Sequence, residues 1–174
     1  NGTVVYEVVP KTKDVLSEET AYVTLSLMKG VTESGSGQRL RHSGAEENNY
    51  AYKTIVTGYP YQFTNPIAGK TGTTQNQSDG WFMGIVPNLV TGVWVGGEDR
   101  AIHFEDIAFG QGASMALPIW ALYMRDVYEN ENLGISQEDF EVPEKVTIPI
   151  DCDKFDSNKF KSIGTDEDLE DLGF

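Results

Sequence analysis

Cysteine is nearly missing from this chain: Cys152 is the single one in 174 residues, so no internal disulfide can form and no thiolate metal cluster can be assembled. A lone cysteine is most often a small buried hydrophobe. Histidine is scarce as well. His42 and His103 lie far apart with no cysteine or carboxylate at metal-ligand spacing, so neither a zinc site nor any other cofactor is expected. Basic residues are outnumbered 27 to 13 by acids, giving a formal charge of −14. A surface of that sign argues against nucleic acid as a partner. Long apolar runs are also absent, and none approaches the ~20 residues that span a bilayer. The start, Asn1-Gly2-Thr3, has neither an initiator methionine nor a signal-peptide pattern and is read as a point inside a longer polypeptide. One core is expected, able to remove about 70% of the unfolded surface from water if the chain folds alone.

The densest positive signal is Lys70-Thr71-Gly72-Thr73, set within Ile67-Ala68-Gly69-Lys70-Thr71-Gly72-Thr73-Thr74. Side chains alternate along a strand, so Thr71 and Thr73 share one face and offer two hydroxyls to a carboxylate. Lys70 projects to the other side as a fixed positive charge, and Gly72 leaves the neighbourhood open. Strands are expected at about 66–73, 80–86 and 92–97, joined by Thr74 to Asp79 and by Pro87-Asn88-Leu89-Val90. Such short connections favour antiparallel neighbours, because a parallel crossover needs a dozen residues or more. Gly84, Gly96 and Gly97 suggest places where a helix or backbone lies close to the sheet.

Around these strands, Val4 to Val9 reads as a further strand ended by Pro10. Ser17, followed by Glu18 and Glu19, is a helix N-cap with acids in the first turn. Ala21, Leu25 and Met28 recur at helical spacing, and Lys29-Gly30 is read as the stop. Residues 31–41 form a turn-rich connection. Residues 42–66 form a surface excursion near the cleft, with Tyr50, Tyr52, Tyr59 and Tyr61 expected to be partly buried. Glu98 to Gln111 reads as a polar loop, and a long helix begins near Ala113, with Pro118 tolerated only in its first turn. Met115, Ile119, Leu122 and Asp126 line one stripe of that helix and Ala116, Trp120, Tyr123 and Val127 the next, an apolar face wide enough to need a sheet. Trp81, Trp94 and Trp120 are read as core-facing rather than as a sugar-stacking platform. Asp151-Cys152-Asp153 with Asp156 lacks a calcium-loop pattern, since Phe155 takes the third ligand position and no glycine follows. Residues 151–174 hold eight acids and three lysines, a net −5, and read as a weakly ordered appendage.

Taken with Asp79-Gly80-Trp81-Phe82-Met83-Gly84 and Thr91-Gly92-Val93-Trp94-Val95-Gly96-Gly97, the K-T-G-T run resembles the consecutive strands of the transpeptidase domain in class A, bifunctional penicillin-binding proteins. The likeness covers roughly residues 1–130 and leaves 131–174 as a C-terminal extension with an acidic tail. It implies an α+β fold in which helices flank an antiparallel sheet, like that of serine β-lactamases and D,D-transpeptidases, incomplete in this chain. It also implies acyl transfer between peptidoglycan stem peptides through a serine acyl-enzyme. In that scheme the Thr71 and Thr73 hydroxyls bind the terminal carboxylate of the stem peptide, or of a β-lactam mimicking it, and Gly72 between them keeps the strand open. The Thr73 N–H is one of two oxyanion donors, and Lys70 holds the potential positive and bonds the serine of the second motif.

The other family motifs are not delivered. Ser26-Leu27-Met28-Lys29 has the spelling of the nucleophile motif but lies near the end of its helix, whereas the nucleophile occupies a helix start. No Ser-x-Asn precedes Lys70. Gly35-Ser36-Gly37 stands where relatives usually read Gly-Thr-Gly. The resemblance therefore implies a nucleophile elsewhere in the parent polypeptide, together with a glycosyltransferase domain and a membrane anchor that would place this part on the extracytoplasmic face. Two other readings stay open: a β-lactamase or β-lactam sensor of the same fold, and a non-catalytic interaction module whose acidic tail recruits a basic partner. The Trp94 to Asp99 strand end resembles transpeptidases more than lactamases.

Overall fold

The structure is a computed structural model that describes residues 13–150; the expected strand at Val4 to Val9 and the acidic turn and tail lie outside the described residues. Three strands, β1 (Ala68–Thr73), β2 (Asp79–Val86) and β3 (Leu89–Gly96), form an antiparallel sheet in the order β1-β2-β3. The second connection is tighter than expected. Leu89 and Val90 pair with Val86 and Ile85, so only Pro87 and Asn88 remain in the turn. The alternation along β2 sets Gly80, Phe82, Gly84 and Val86 on one face, all buried, and Trp81, Met83 and Ile85 on the other.

A single long helix, α4 (Gly112–Glu129), covers the first of these faces. Its small residues let it lie close. A methyl group on Gly84 would fall 2.2 Å from the Trp120 ring, so glycine there is required by the approach of the helix. Trp120 is fully buried against Phe82, with ring centroids 5.1 Å apart, and its indole N–H donates to Thr91 Oγ1 at 2.7 Å. The buried stripe runs through Ala113, Ala116, Leu117, Trp120, Ala121, Met124 and Val127, while Ile119 and Tyr123 are exposed. The expected stripes hold in part: Ala116, Trp120 and Val127 of the second and Met115 of the first are buried, whereas Ile119 and Tyr123 are exposed and Leu117, Ala121 and Met124 complete the face instead. Pro118 lies in the second turn, not the first. The helix loses one internal bond there, about 3 kcal/mol, and the burial of this face outweighs it.

The tryptophans also depart from expectation. Trp120 is core, but Trp81 and Trp94 are 44% and 48% exposed. They stand opposite each other on the face that α4 does not reach, rings 6.4 Å apart.

Helix α1 (Glu18–Glu33) starts at Ser17, whose hydroxyl accepts from the Thr20 N–H. It runs through Lys29-Gly30 instead of stopping there, and the Gly30 carbonyl accepts from the N–H groups of both Ser34 and Gly35. Near its end the buried Thr32 donates to the Ile67 carbonyl at 2.6 Å, tying α1 to the entry of β1. The 42–66 excursion contains α2 (Tyr50–Ile55). Tyr52 and Tyr61 are buried there, whereas Tyr50 is exposed. A short helix, α3 (Ile107–Gly110), interrupts the expected polar loop and is capped by Asp106. After α4 the chain turns back. Asn88 bonds Gly134 and Ser136, Lys29 pairs with Asp139 at 2.7 Å, Phe140 is buried, and Glu19 accepts from Thr147 and Ile148.

Candidate active-site strand

β1 lies at an edge of the sheet, and among the described residues no strand pairs with its far side. The Thr74 N–H donates to the Asp79 carbonyl at 3.0 Å, which fixes the phase of the ladder. Peptide groups alternate in direction along an antiparallel pair, so those of Lys70 and Gly72 point toward β2 and those of Thr71 and Thr73 point out from the edge. The strand is open to solvent: Lys70 and Thr73 are exposed, and Thr71 and Gly72 are half-buried.

Register places Thr71 beside Phe82 and Thr73 beside Gly80, on the α4 side, with Lys70 and Gly72 beside Met83 and Trp81 on the other. Each hydroxyl has a partner. Thr71 Oγ1 lies 2.6 Å from Ser36 Oγ, in the turn after α1. Thr73 Oγ1 accepts from the Gly112 N–H at 3.0 Å, at the first turn of α4, where free amides carry partial positive charge. Gly112 has no alternative. A methyl group there would meet the Gly72 carbonyl oxygen at 2.2 Å and that of Trp81 at 2.5 Å, so only glycine brings the helix start this close to β1. Lys70 curls back, and its ammonium donates to the outward-pointing Thr71 carbonyl at 3.0 Å, so its charge sits at the open edge.

Beside this strand is a polar groove of about 280 Å³, lined by Ser36, Arg39, His42, Glu46, Glu47 and Gln111 among others. Arg39 pairs with the buried Glu47 and stacks 4.0 Å above the Tyr52 ring. Burial alone would raise the Glu47 carboxyl, but hydrogen bonds from Arg39 and the Asn49 N–H outweigh it and hold the group below its ordinary range. Tyr61, buried behind this wall, is pushed up to about 12 by desolvation. At the far end of β1, Asp79 accepts from Thr74, Ser78 and the Trp94 indole, and the Thr74 bond above all keeps its carboxyl low.

Ser26 lies in the middle of α1 and donates to the Tyr22 carbonyl at 2.9 Å, while Lys29 is engaged with Asp139. The two side chains make no hydrogen bond to each other, and Ser26 stands in mid-helix, neither near the helix end as expected nor at a helix start where a nucleophile would sit. His42 sits near Tyr59 and His103 near the Phe104 carbonyl, and among the described residues no three His, Cys, Asp or Glu side chains converge to hold a metal. The contacts of Ser36 and Gly112 with the threonines were missed from sequence. The Gly35-Ser36-Gly37 run was the available signal for the first, and nothing in the local pattern marks the second.

An antiparallel sheet flanked by helices, with a K-T-G strand on its open edge, defines part of a serine β-lactamase/D,D-transpeptidase-like fold. Comparison with known sequences agrees. The chain is 32% identical over 154 residues to penicillin-binding protein 1A of Aquifex aeolicus (strain VF5), covering 86% of this chain and 17% of that protein. It is 34% identical over 132 residues to penicillin-binding protein 2D of Bacillus subtilis (strain 168), covering 75% and 16%. Over 97 residues it is 36% identical to penicillin-binding protein 1A of Escherichia coli (strain K12), covering 49% and 11%. No protein-family model matches the chain. The chain belongs to the class A penicillin-binding proteins, as a C-terminal part of the transpeptidase domain, and spans about a sixth of the length of the first two of these relatives.

Proposed function

We propose that this chain is the carboxylate-gripping part of a peptidoglycan D,D-transpeptidase whose serine nucleophile belongs to polypeptide beyond it. In the proposed reaction the serine oxygen bonds to the penultimate D-alanine carbonyl carbon, the peptide C–N bond breaks, and the leaving D-alanine amine takes a proton. An amine of a second stem peptide then displaces the serine and restores an amide. Within that cycle Thr71 and Thr73 donate to the terminal carboxylate, with Gly72 between them leaving the strand accessible. The outward N–H of Thr73 is one donor to the tetrahedral oxyanion, a contact whose loss costs ~3–4 kcal/mol of barrier in comparable sites. Lys70 supplies positive potential at the edge. The parent would carry the glycosyltransferase domain and membrane anchor of class A enzymes and work on the extracytoplasmic face. No helix among the described residues is long and apolar enough to cross a membrane.

The observation that carries this reading is the state of Thr73. Its oxygen already accepts from Gly112 and its peptide N–H points off an edge that no described strand pairs, so among the described residues neither of its donors is engaged and both can serve an anion. The test is fluorescent penicillin applied to the complete natural polypeptide. Covalent labelling that persists is expected. Rapid loss of label identifies a β-lactamase instead, and no labelling leaves the interaction module. The isolated 174-residue chain should gain no mass from a β-lactam, and an adduct mapped to Ser26 would overturn the external nucleophile.

A further inference from the structure

We propose that Ser36 is a positioning residue for carboxylate recognition: its hydroxyl donates to Thr71 Oγ1 and so reserves the Thr71 proton for the ligand. The inference rests on the reading of β1 as the carboxylate-binding strand and adds a residue outside that strand. A hydroxyl has one proton and two acceptor sites. At 2.6 Å one of the pair must donate to the other, and without a ligand either direction serves. A carboxylate only accepts, so its arrival on Thr71 selects the arrangement in which Ser36 donates to Thr71 and Thr71 to the ligand. Each bond in such a chain polarises the next.

The pair is held from both sides. The Ser36 turn is closed by the Gly35 N–H on the Gly30 carbonyl at 3.0 Å, the Gly37 N–H on Val31 at 2.8 Å and the Gln38 N–H on Gly35 at 3.1 Å. Helix α1, which carries that turn, is tied to the start of β1 by the Thr32 to Ile67 bond. The Thr73 hydroxyl receives the Gly112 N–H in the same sense, so both threonines have an acceptor site filled and a proton to give. Ser36 is exposed and its hydroxyl bonds only Thr71 among the described residues, so its removal leaves no buried group unpaired.

The test uses the complete natural polypeptide and fluorescent penicillin, resolving the apparent dissociation constant from the limiting acylation rate. Ser36→Ala should raise the dissociation constant about tenfold with the limiting rate and Tm little changed. Ser36→Thr, which restores the hydroxyl, should return it to the unsubstituted value. On a Thr71→Val background Ser36→Ala should add nothing, since it acts through Thr71. The inference is overturned by a Ser36→Ala protein that binds normally, by failure of Ser36→Thr to rescue, or by effects that add in the double variant. An unsubstituted polypeptide that takes no label at all instead sinks the underlying transpeptidase reading, so the two failures are told apart.

Discussion

Thr71 and Thr73 sit two residues apart on one strand face yet are held by different parts of the molecule, one by a turn and the other by a helix start. Thr71→Val keeps the β-branched shape and removes only the hydroxyl, so the strand should be preserved while a charge-assisted hydrogen bond is lost. Acylation of the complete polypeptide by a β-lactam is expected to slow by about tenfold or more with an unaltered melting temperature; unchanged kinetics would remove Thr71 from the site. The residue types and their shared face were legible in the sequence, because alternation alone dictates them. Their partners were not, since Ser36 and Gly112 are separated from the threonines by 35 and 39 residues and only the tertiary fold brings them near. Glu47 illustrates the same limit. Nothing in its local sequence marks it as buried, yet it anchors Arg39, which in turn caps the Tyr52 ring. Glu47→Ala should cost about 2–3 kcal/mol in urea unfolding, chiefly by stranding a partly buried guanidinium.

At the level of elements, the three strands and their antiparallel order could be read from connection lengths, since short links permit no crossover. The start of α1 was legible in Ser17 and the acids behind it. Its end was not, because Gly30 looks like a stop signal, whereas the packing of Thr32 under Ile67 carries the helix a turn further. The stripes of α4 were legible at Met115, Ala116, Trp120 and Val127 but not at Ile119 and Tyr123, which are exposed, because the face turns toward Leu117, Ala121 and Met124 while small residues set how closely helix and sheet approach. Two glycines test that conclusion. Gly84→Ala drives a methyl into a fully buried indole and should destabilise the fold by about 3 kcal/mol, readable in urea unfolding. Gly112→Ala pushes instead against the backbone carbonyls of Gly72 and Trp81, so it should displace the start of α4 and unseat Thr73. Weakened β-lactam acylation is therefore expected from Gly112→Ala beyond what its loss of stability explains, whereas Gly84→Ala should affect stability first.

Across the whole molecule the final stretch, residues 131–150, returns along the β2–β3 turn and α1 through pairwise contacts rather than through any repeating pattern, which is why periodicity could not reveal it. Lys29 and Asp139 lie 110 positions apart, and Glu19 and Thr147 lie 128 apart. Several of these acids share a property. Bonds from Lys29 hold Asp139 below its ordinary 3.8, bonds from Thr147 hold Glu19 below 4.5, and Thr74 does the same for Asp79. A carboxyl depressed in the folded state contributes stability that is fully present above its unfolded value and is lost as pH falls through its folded value. Against this, protonation also relieves the mutual repulsion of a chain carrying −14, which would stabilise it. That repulsion is spread over the surface and screened within about 8 Å at physiological salt, whereas the hydrogen-bonded partners are in contact, so the local loss should win. Stability is therefore expected to hold from neutral pH down to about 5 and then fall below about 4, where these groups begin to bind protons. Asp139→Asn should flatten part of that acid limb, measured by urea unfolding at a series of pH values. A stability that instead rose steadily toward pH 3 would mean that general repulsion, and not the tethering of 131–150 to α1, governs how this chain responds to acid.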